Sequence, residues 1–153
     1  MTRSRPFGRL EDGRQVHAWR LGEADGLSAE ILDLGGILAS LEFPGAQGRT
    51  RLVLGLDDAC AYYDDPAYLG ILVGRFGNRI GGAAYTLDGR RQQVTANEGR
   101  NHLHGGTYGF GRRLWTVAAY DADRFVLRYR SPDGEEGYPG NLEVTATYRV
   151  QGS

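Results

Sequence analysis

The sequence predicts an all-β protein, an antiparallel sandwich or barrel of about eight short strands. Apolar and polar residues alternate over several short stretches, and a period of two is typical of strands with one buried face. Twenty-four glycines in 153 residues supply the turns between the strands. Only residues 57–68 have room for a helical turn, and Pro66 limits its length.

The N-terminal part of the chain predicts three strands. The first covers residues 15–21 and the second covers residues 28–34. After a turn at Gly35-Gly36 the third strand runs to Pro44-Gly45, which is predicted to end it. Alternation places four apolar side chains on the buried face of this third strand: Ile37, Ala39, Leu41 and Phe43.

Two hairpins and a terminal strand are predicted in the remainder. Residues 83–87 and 91–95 flank Asp88-Gly89, a pair that readily adopts the positive φ angles of a tight turn. Residues 114–120 and 124–130 predict the second hairpin. The last strand alternates most regularly, with an apolar face of Leu142, Val144, Ala146, Tyr148 and Val150. We expect such a strand either to pair with another chain segment or to leave an exposed edge.

Length and composition predict one domain over residues 1–153, with a hydrophobic core. All 18 basic residues are arginine against 19 acidic residues, so the formal charge is −1 and indicates no nucleic-acid partner. The single Cys60 has no internal disulfide partner, and the first residues lead into no apolar run like that of a signal peptide. No apolar stretch is long enough to span a membrane. We therefore expect a cytoplasmic protein that binds neither nucleic acid nor membranes.

Three polar, glycine-rich patches interrupt the strand pattern. The arginine patch covers residues 74–80, with the sequence Gly-Arg-Phe-Gly-Asn-Arg-Ile. The histidine patch covers residues 101–106, with Asn-His-Leu-His-Gly-Gly. The acidic patch covers residues 131–140, with Ser-Pro-Asp-Gly-Glu-Glu-Gly-Tyr-Pro-Gly. Binding and catalytic residues are concentrated in such loops, so we expect function here.

The histidines offer two interpretations. His102 and His104 stand two residues apart, so extended backbone would place both side chains on one face, as in the metal pair of a cupin-like domain. Residues 105–111 contain no acid and His17 lies far upstream, so we predict no metal. We predict that His17, beside Trp19 in a strand, is structural. His104 precedes two glycines that let backbone approach a ligand, which favours a role in binding.

The remaining polar candidates are Asn78, Arg79 and the acidic pair Glu135 and Glu136. Asn78 and Arg79 together supply several hydrogen-bond donors and an acceptor, a set that suits sugar hydroxyls. Neighbouring acids after Asp-Gly are more typical of a turn than of a catalytic pair, so we predict a structural role for the two glutamates. Four aromatic residues near the patches have ring faces that suit a sugar, although the last two are predicted to lie in the core: Phe76, Tyr108, Phe110 and Trp115.

Together the three patches resemble the aldose 1-epimerase (galactose mutarotase) family. The arginine patch is similar to the family's Gly-Arg-x-x-Asn-Arg-Ile, and the histidine patch to its Asn-x-Leu-His-Gly-Gly. The acidic patch contains the family's Ser-x-Asp-Gly-Glu-Glu-Gly-Tyr-Pro-Gly in full. Gly109-Phe110 and Trp115 also correspond to family residues. The resemblance implies a β-sandwich enzyme that interconverts the α and β anomers of free aldohexoses, such as galactose and glucose, by acid–base ring opening without a cofactor.

The resemblance also implies a role for individual residues. Asn78, Arg79 and His104 are similar to residues that hold the sugar, with His104 near the ring oxygen and Arg79 on the hydroxyls. Family members are much longer, and their catalytic acid, a second histidine, and catalytic base, a glutamate, lie in the part that has no counterpart here. No residue of this chain is therefore assigned as catalytic.

The resemblance predicts the N-terminal half of a mutarotase, a truncated or split enzyme with a sandwich that is incomplete at this length. Such a chain is expected to self-associate or to accept a complementing second half. The alternative is a non-catalytic carbohydrate-binding or assembly module, in which the open terminal strand pairs with another chain.

Overall fold

A five-stranded antiparallel sheet forms the N-terminal part of the molecule. The computed structural model describes residues 4–23 and 25–151. In this sheet, strands that follow one another in the chain are also neighbours in space. They are β1 (Ser4–Arg9), β2 (Gln15–Gly22), β3 (Ser28–Leu32), β4 (Leu38–Gly45) and β5 (Gly48–Arg51).

A short helix, two ribbons and a second sheet complete the fold. Helix α1 (Ala59–Tyr63) lies within the segment predicted to hold a helical turn, and the Asp58 carboxylate caps it by accepting from the N–H groups of Cys60 and Ala61. The ribbons pair β6 (Arg79–Ile80) with β9 (His102–Leu103), and β7 (Ala84–Leu87) with β8 (Arg90–Gln93). The second sheet has the order β10 (Thr116–Tyr120), β11 (Arg124–Ser131) and β12 (Leu142–Arg149).

The two large sheets face each other across a common core, which confirms the predicted β-sandwich. Leu21 on β2 and Ile31 on β3 belong to the same buried cluster as Phe125 and Leu127 on β11. Phe110 and Trp115 are also buried in this cluster, as predicted. Each of these large side chains contributes roughly 1.5–3 kcal/mol when it leaves water. Both predicted hairpins form, and Asp88 and Gly89 adopt the positive φ angles expected for the first.

The edge of the first sheet differs from the prediction. The third predicted strand ends at Pro44-Gly45, as expected. Strands β1 and β5 were not predicted, and β5 forms a hairpin with β4 after this turn. Phe43 was predicted to be buried but is 47% exposed. Every residue of β5 is exposed, so this hairpin extends beyond the core. Ile37 and Ala39 are buried as predicted and Leu41 packs against the core, so the alternation predicts burial correctly except at the end of the strand.

Strand β12 has one paired edge and one open edge. It pairs with β11 over its whole length, and within the described part of the chain it has no other strand neighbour. Val144, Ala146, Tyr148 and Val150 pack against the core between the two sheets. The strand is therefore paired, as the first alternative expected, and its other edge has no strand neighbour within residues 4–23 and 25–151. No helix in residues 4–23 and 25–151 has the length and apolar character needed to cross a membrane.

Candidate functional site

Arg75 ties the arginine patch to the acidic patch. Its Nε donates to the Ser131 hydroxyl at 2.8 Å, and its Nη1 donates to the carbonyl of Pro139 at 3.1 Å. Its Nη2 donates to the carbonyls of Ser131 at 3.0 Å and Pro132 at 2.9 Å. The guanidinium also lies over the Tyr138 ring, 5.8 Å from its centroid. Arg75 therefore has a structural role, because its donors are directed at protein acceptors.

The histidine patch packs backbone to backbone on the arginine patch. Gly105 has φ +91°, and a Cβ placed there would lie 1.6 Å from the carbonyl oxygen of Gly74. Only glycine leaves room for that carbonyl and adopts this angle without strain. The same Gly74 carbonyl accepts from the N–H of Phe110 at 3.2 Å. The close contact that was expected for a ligand is thus used, at Gly105, to join two parts of the chain.

The acidic pair holds the surrounding loops, as predicted. Glu136 accepts from the backbone N–H groups of Thr107 at 3.0 Å and Tyr108 at 2.9 Å, so it fixes the segment that follows the histidine patch. Glu135 accepts from the hydroxyls of Tyr129 and Ser131 and forms an ion pair with Arg113. Burial, and then the hydrogen bond to Glu135, raise the pKa of Tyr129 to about 12. Both carboxylates are therefore occupied by protein donors.

His102 is buried and joins the histidine patch to the acidic patch. Its Nδ1 lies 2.7 Å from the carbonyl oxygen of Thr95, and its Nε2 lies 2.6 Å from the Tyr138 hydroxyl. A carbonyl only accepts, so Nδ1 carries the hydrogen and Nε2 accepts from the hydroxyl. Burial raises the pKa of Tyr138 to about 12, so that hydroxyl stays a donor. His102 is a core residue of this junction.

His104 points elsewhere, so the expectation that the two histidines share one face is wrong. His104 has φ +50°, and β9 ends one residue before it at Leu103. The left-handed backbone turns the chain and separates the two imidazoles. Among the described residues, no three His, Cys, Asp or Glu side chains are placed to hold a metal ion.

Asn78 links His104 to the arginine patch through a reciprocal pair of hydrogen bonds. The N–H of Asn78 donates to Nδ1 of His104 at 3.0 Å, and the N–H of His104 donates to the carbonyl of Asn78 at 3.1 Å. An amide N–H only donates, so the neutral imidazole carries its hydrogen on Nε2. The Tyr68 ring packs edge-on against the imidazole, with ring centroids 4.8 Å apart. His104 is therefore held in one orientation with a donor at Nε2.

The two histidines are expected to show opposite tautomers. Long-range ¹H–¹⁵N correlation spectra at pH 8 should place the hydrogen on Nδ1 in His102 and on Nε2 in His104, because their hydrogen-bond partners differ in this way. His102→Gln and His104→Gln variants assign the two sets of signals. The same tautomer in both residues would contradict the geometry described here.

Arg79 lies beside Asn78 and is held by Glu98, a residue that sequence reasoning missed. Strand β6 places Arg79 opposite Leu103 of the histidine patch. Its Nε lies 3.0 and 2.7 Å from the two carboxylate oxygens of Glu98, and its Nη2 also donates to that carboxylate. Its Nη1 lies 3.4 Å from Oδ1 of Asn78. The hydrogen bonds from Arg79, and its positive charge, lower the pKa of Glu98, while burial opposes this shift.

Asn78, Arg79 and His104 therefore come together, but on an open surface. The concavity beside His104 encloses about 20 Å³, which is room for about one water molecule. Sites for small molecules typically measure about 300–1,000 Å³. A larger cavity of about 250 Å³ lies against the five-stranded sheet, and none of the three predicted residues lines it. Phe76 and Tyr108 are about half exposed near the patches, at 47% and 50%.

His17, the remaining histidine, is occupied by a protein partner, as predicted. Its Nδ1 lies 3.1 Å from Oδ2 of Asp33, and its backbone N–H donates to Oδ1 of the same carboxylate at 2.8 Å. The desolvation of Asp33 raises the pKa of that carboxyl group. His17 thus supports the pairing of β2 with the segment that follows β3.

The comparisons with known proteins identify the family. The family model of aldose 1-epimerase matches residues 17–153, which include all three patches. The chain belongs to the aldose 1-epimerase family. The three patches that build the site all lie within the matched residues.

Individual relatives support the same conclusion. The chain is similar to galactose mutarotase of Sus scrofa, with 40% identity over 99% of this chain and 44% of the relative. It is 34% identical to aldose 1-epimerase of Escherichia coli K12, over 91% of this chain and 40% of the relative. A solved structure of a GalM/aldose epimerase homologue from C. elegans matches with a TM-score of 0.81 and 34% identity, over 87% of this chain and 41% of that one. The chain thus spans less than half the length of the aldose 1-epimerase relatives it matches.

Proposed function

We propose that this chain is the sugar-holding N-terminal portion of an aldose 1-epimerase and binds free aldohexoses such as galactose and glucose. The observation that carries the proposal is the arrangement of Asn78, which contacts both His104 and Arg79. It brings an imidazole donor and a guanidinium donor together on an open surface. Relatives named galactose mutarotase and aldose 1-epimerase support the substrate class.

The proposed role of each residue follows from its free donor. Ring opening of an aldose requires removal of the proton from the anomeric hydroxyl and protonation of the ring oxygen. In the proposal, Nε2–H of His104 donates to the ring oxygen and orients it. Nη1 of Arg79 and the side chain of Asn78 hold hydroxyl groups. The proton-transferring acid and base are contributed by residues outside this chain, so its own contribution is positioning.

Sugar binding tests this proposal directly. Titration with D-galactose and D-glucose, followed by ¹H–¹⁵N spectra, should perturb the signals of Asn78 and His104. His104→Ala and Arg79→Ala should each weaken binding by about tenfold or more, since a hydrogen bond from a positioned donor is lost. Arg14→Ala is the matched control, because Arg14 is an exposed arginine paired with Asp12 in the turn between β1 and β2. Equal affinity in all four proteins would contradict the proposed site.

We further propose that the rest of the enzyme completes the site by adding strands at β12. More than half of the length of these relatives lies outside the matched region, and β12 offers an open edge. A second wall over Asn78, Arg79 and His104 would convert the open surface into a pocket of ordinary size. A cytoplasmic location is also proposed, on the sequence arguments alone.

A second candidate function, an assembly module, is favoured by one observation on the same edge. The N–H of Val150 donates to the carbonyl of Asp123 in the β11 direction. Backbone groups alternate in an antiparallel ladder, so those of four residues of β12 point to the open edge: Glu143, Thr145, Thr147 and Arg149. Two copies of β12, paired antiparallel about Ala146, would place Glu143 opposite Arg149 and Thr145 opposite Thr147 in both directions. Such a two-fold contact is self-complementary.

Charge exchange separates the two candidates. An assembly module should sediment as a dimer. The Glu143→Arg variant should be monomeric, because it places two arginines opposite each other at each end of the contact. Adding Arg149→Glu should restore the dimer. A wild-type chain that is monomeric at all concentrations would contradict the assembly module. The open edge of β12 would then be available for a complementing second half. Unchanged dimers in the Glu143→Arg variant would also rule out this register.

A further inference from the structure

We propose that Glu98 is the specificity-determining residue of the Arg79 site: by occupying one side of the guanidinium, it selects neutral sugars over phosphorylated ones. The proposal rests on the proposed sugar-binding function. Glu98 itself lies outside all three sequence patches.

The backbone places Glu98 in a fixed relation to Arg79. The Asn97 side chain accepts from the N–H of Leu103 at 2.7 Å and donates to its carbonyl at 2.9 Å. Glu98 and Asn101 exchange backbone hydrogen bonds of 3.1 and 2.9 Å across a tight turn. Leu103 in turn pairs with Arg79 in the β6–β9 ribbon. These backbone contacts therefore hold the Glu98 carboxylate next to the Arg79 guanidinium.

The contact occupies the side of Arg79 that an anion would need. Arginine binds a phosphate best through two parallel N–H groups. In this structure Nε and Nη2 form that fork, and both donate to the Glu98 carboxylate. The donors that remain are the two N–H groups of Nη1, which lies 3.4 Å from the Asn78 amide oxygen, and the second N–H of Nη2. These donors beside an amide oxygen suit a neutral hydroxyl group, whereas a phosphate ester bound to them would meet the negative charge of Glu98 on the same guanidinium.

The Arg79–Glu98 ion pair is too exposed to contribute much to the free energy of folding. The side chains of Arg79 and Glu98 are 55% and 36% exposed, and ion pairs on the surface contribute little to folding. Glu98→Gln should therefore fold normally. It should free the Nε and Nη2 fork of Arg79 and leave its Nη1 less firmly oriented.

The test uses two ligands and inorganic phosphate. The wild-type chain should bind D-galactose more tightly than galactose 6-phosphate, and Glu98→Gln should shift the ratio of the two affinities towards the phosphate ester by about tenfold. Glu98→Gln should also gain binding of inorganic phosphate, and adding Arg79→Ala should abolish that gain. Glu42→Gln is the matched control, since Glu42 is also 36% exposed and pairs with an arginine, Arg49, in the five-stranded sheet.

The outcomes separate this proposal from the proposed function. An Arg79 Nε–H resonance unchanged by Glu98→Gln, or an unchanged preference between the two sugars, would overturn the role of Glu98 while leaving sugar binding intact. A wild-type chain that binds no sugar would contradict the proposed function. In that case the selection between sugars would fall with it, and the Arg79-dependent gain of inorganic phosphate would still show whether Glu98 blocks the guanidinium to anions. Glu98→Asp, which keeps the charge, should retain most of the block.

Discussion

Freshly dissolved α-D-galactose is expected to mutarotate at its spontaneous rate when the isolated 153-residue chain is added. General acid and general base catalysis each typically contribute about 10²–10⁴-fold, and the proposal places both groups outside this chain. The two glutamates of the acidic patch do not replace them, because Glu135 and Glu136 are held by protein donors. Polarimetry measures the rate directly, with α-D-glucose as a second substrate.

The complementary experiment supplies the missing part. When the C-terminal portion of a full-length relative is added in trans, mutarotation should accelerate by several powers of ten, and His104→Ala should reduce the gain. Turnover by the purified chain alone that disappears in His104→Ala would contradict the prediction. It would place a complete acid–base pair within these residues.

Replacing Gly105 by alanine is expected to cost about 3 kcal/mol or more of the free energy of unfolding. The new Cβ would lie 1.6 Å from the Gly74 carbonyl oxygen, so the arginine and histidine patches would have to separate. The φ angle of +91° adds backbone strain for any residue with a side chain. Urea denaturation of the two proteins measures the difference.

Gly89→Ala is the matched control. Gly89 has a similar left-handed backbone, with φ +75°, but a Cβ there would meet no atom within 4 Å. It should therefore cost only the backbone strain, roughly 1–2 kcal/mol. Equal losses in the two variants would mean that the contact between Gly105 and Gly74 does not hold the patches together.

Strands were predicted correctly where turn residues or apolar alternation identify them in the sequence. Asp88-Gly89 marks its hairpin because few other pairs tolerate two positive φ angles. Strand β12 was recognised because one of its faces packs on the core. Strands β1 and β5 left no such mark, since they lie at the edge of the sheet and β5 is exposed throughout.

The candidate site divides in the same way. Asn78, Arg79 and His104 were found in compact motifs, and the structure brings them together. Glu98 and Tyr68 were not found, because each meets its partner across a long stretch of chain and lies outside every patch.

The sequence by itself determined the all-β class, the family, and the three patches that carry its motifs, because turn chemistry, alternation and motif spacing are local properties of the chain. Only the tertiary structure decided that His102 is a core residue while His104 donates at the surface, which groups the two structural glutamates hold, and that Glu98 holds Arg79. These outcomes depend on one left-handed residue and on contacts between distant segments. Packing fixes such contacts, and no local pattern records them.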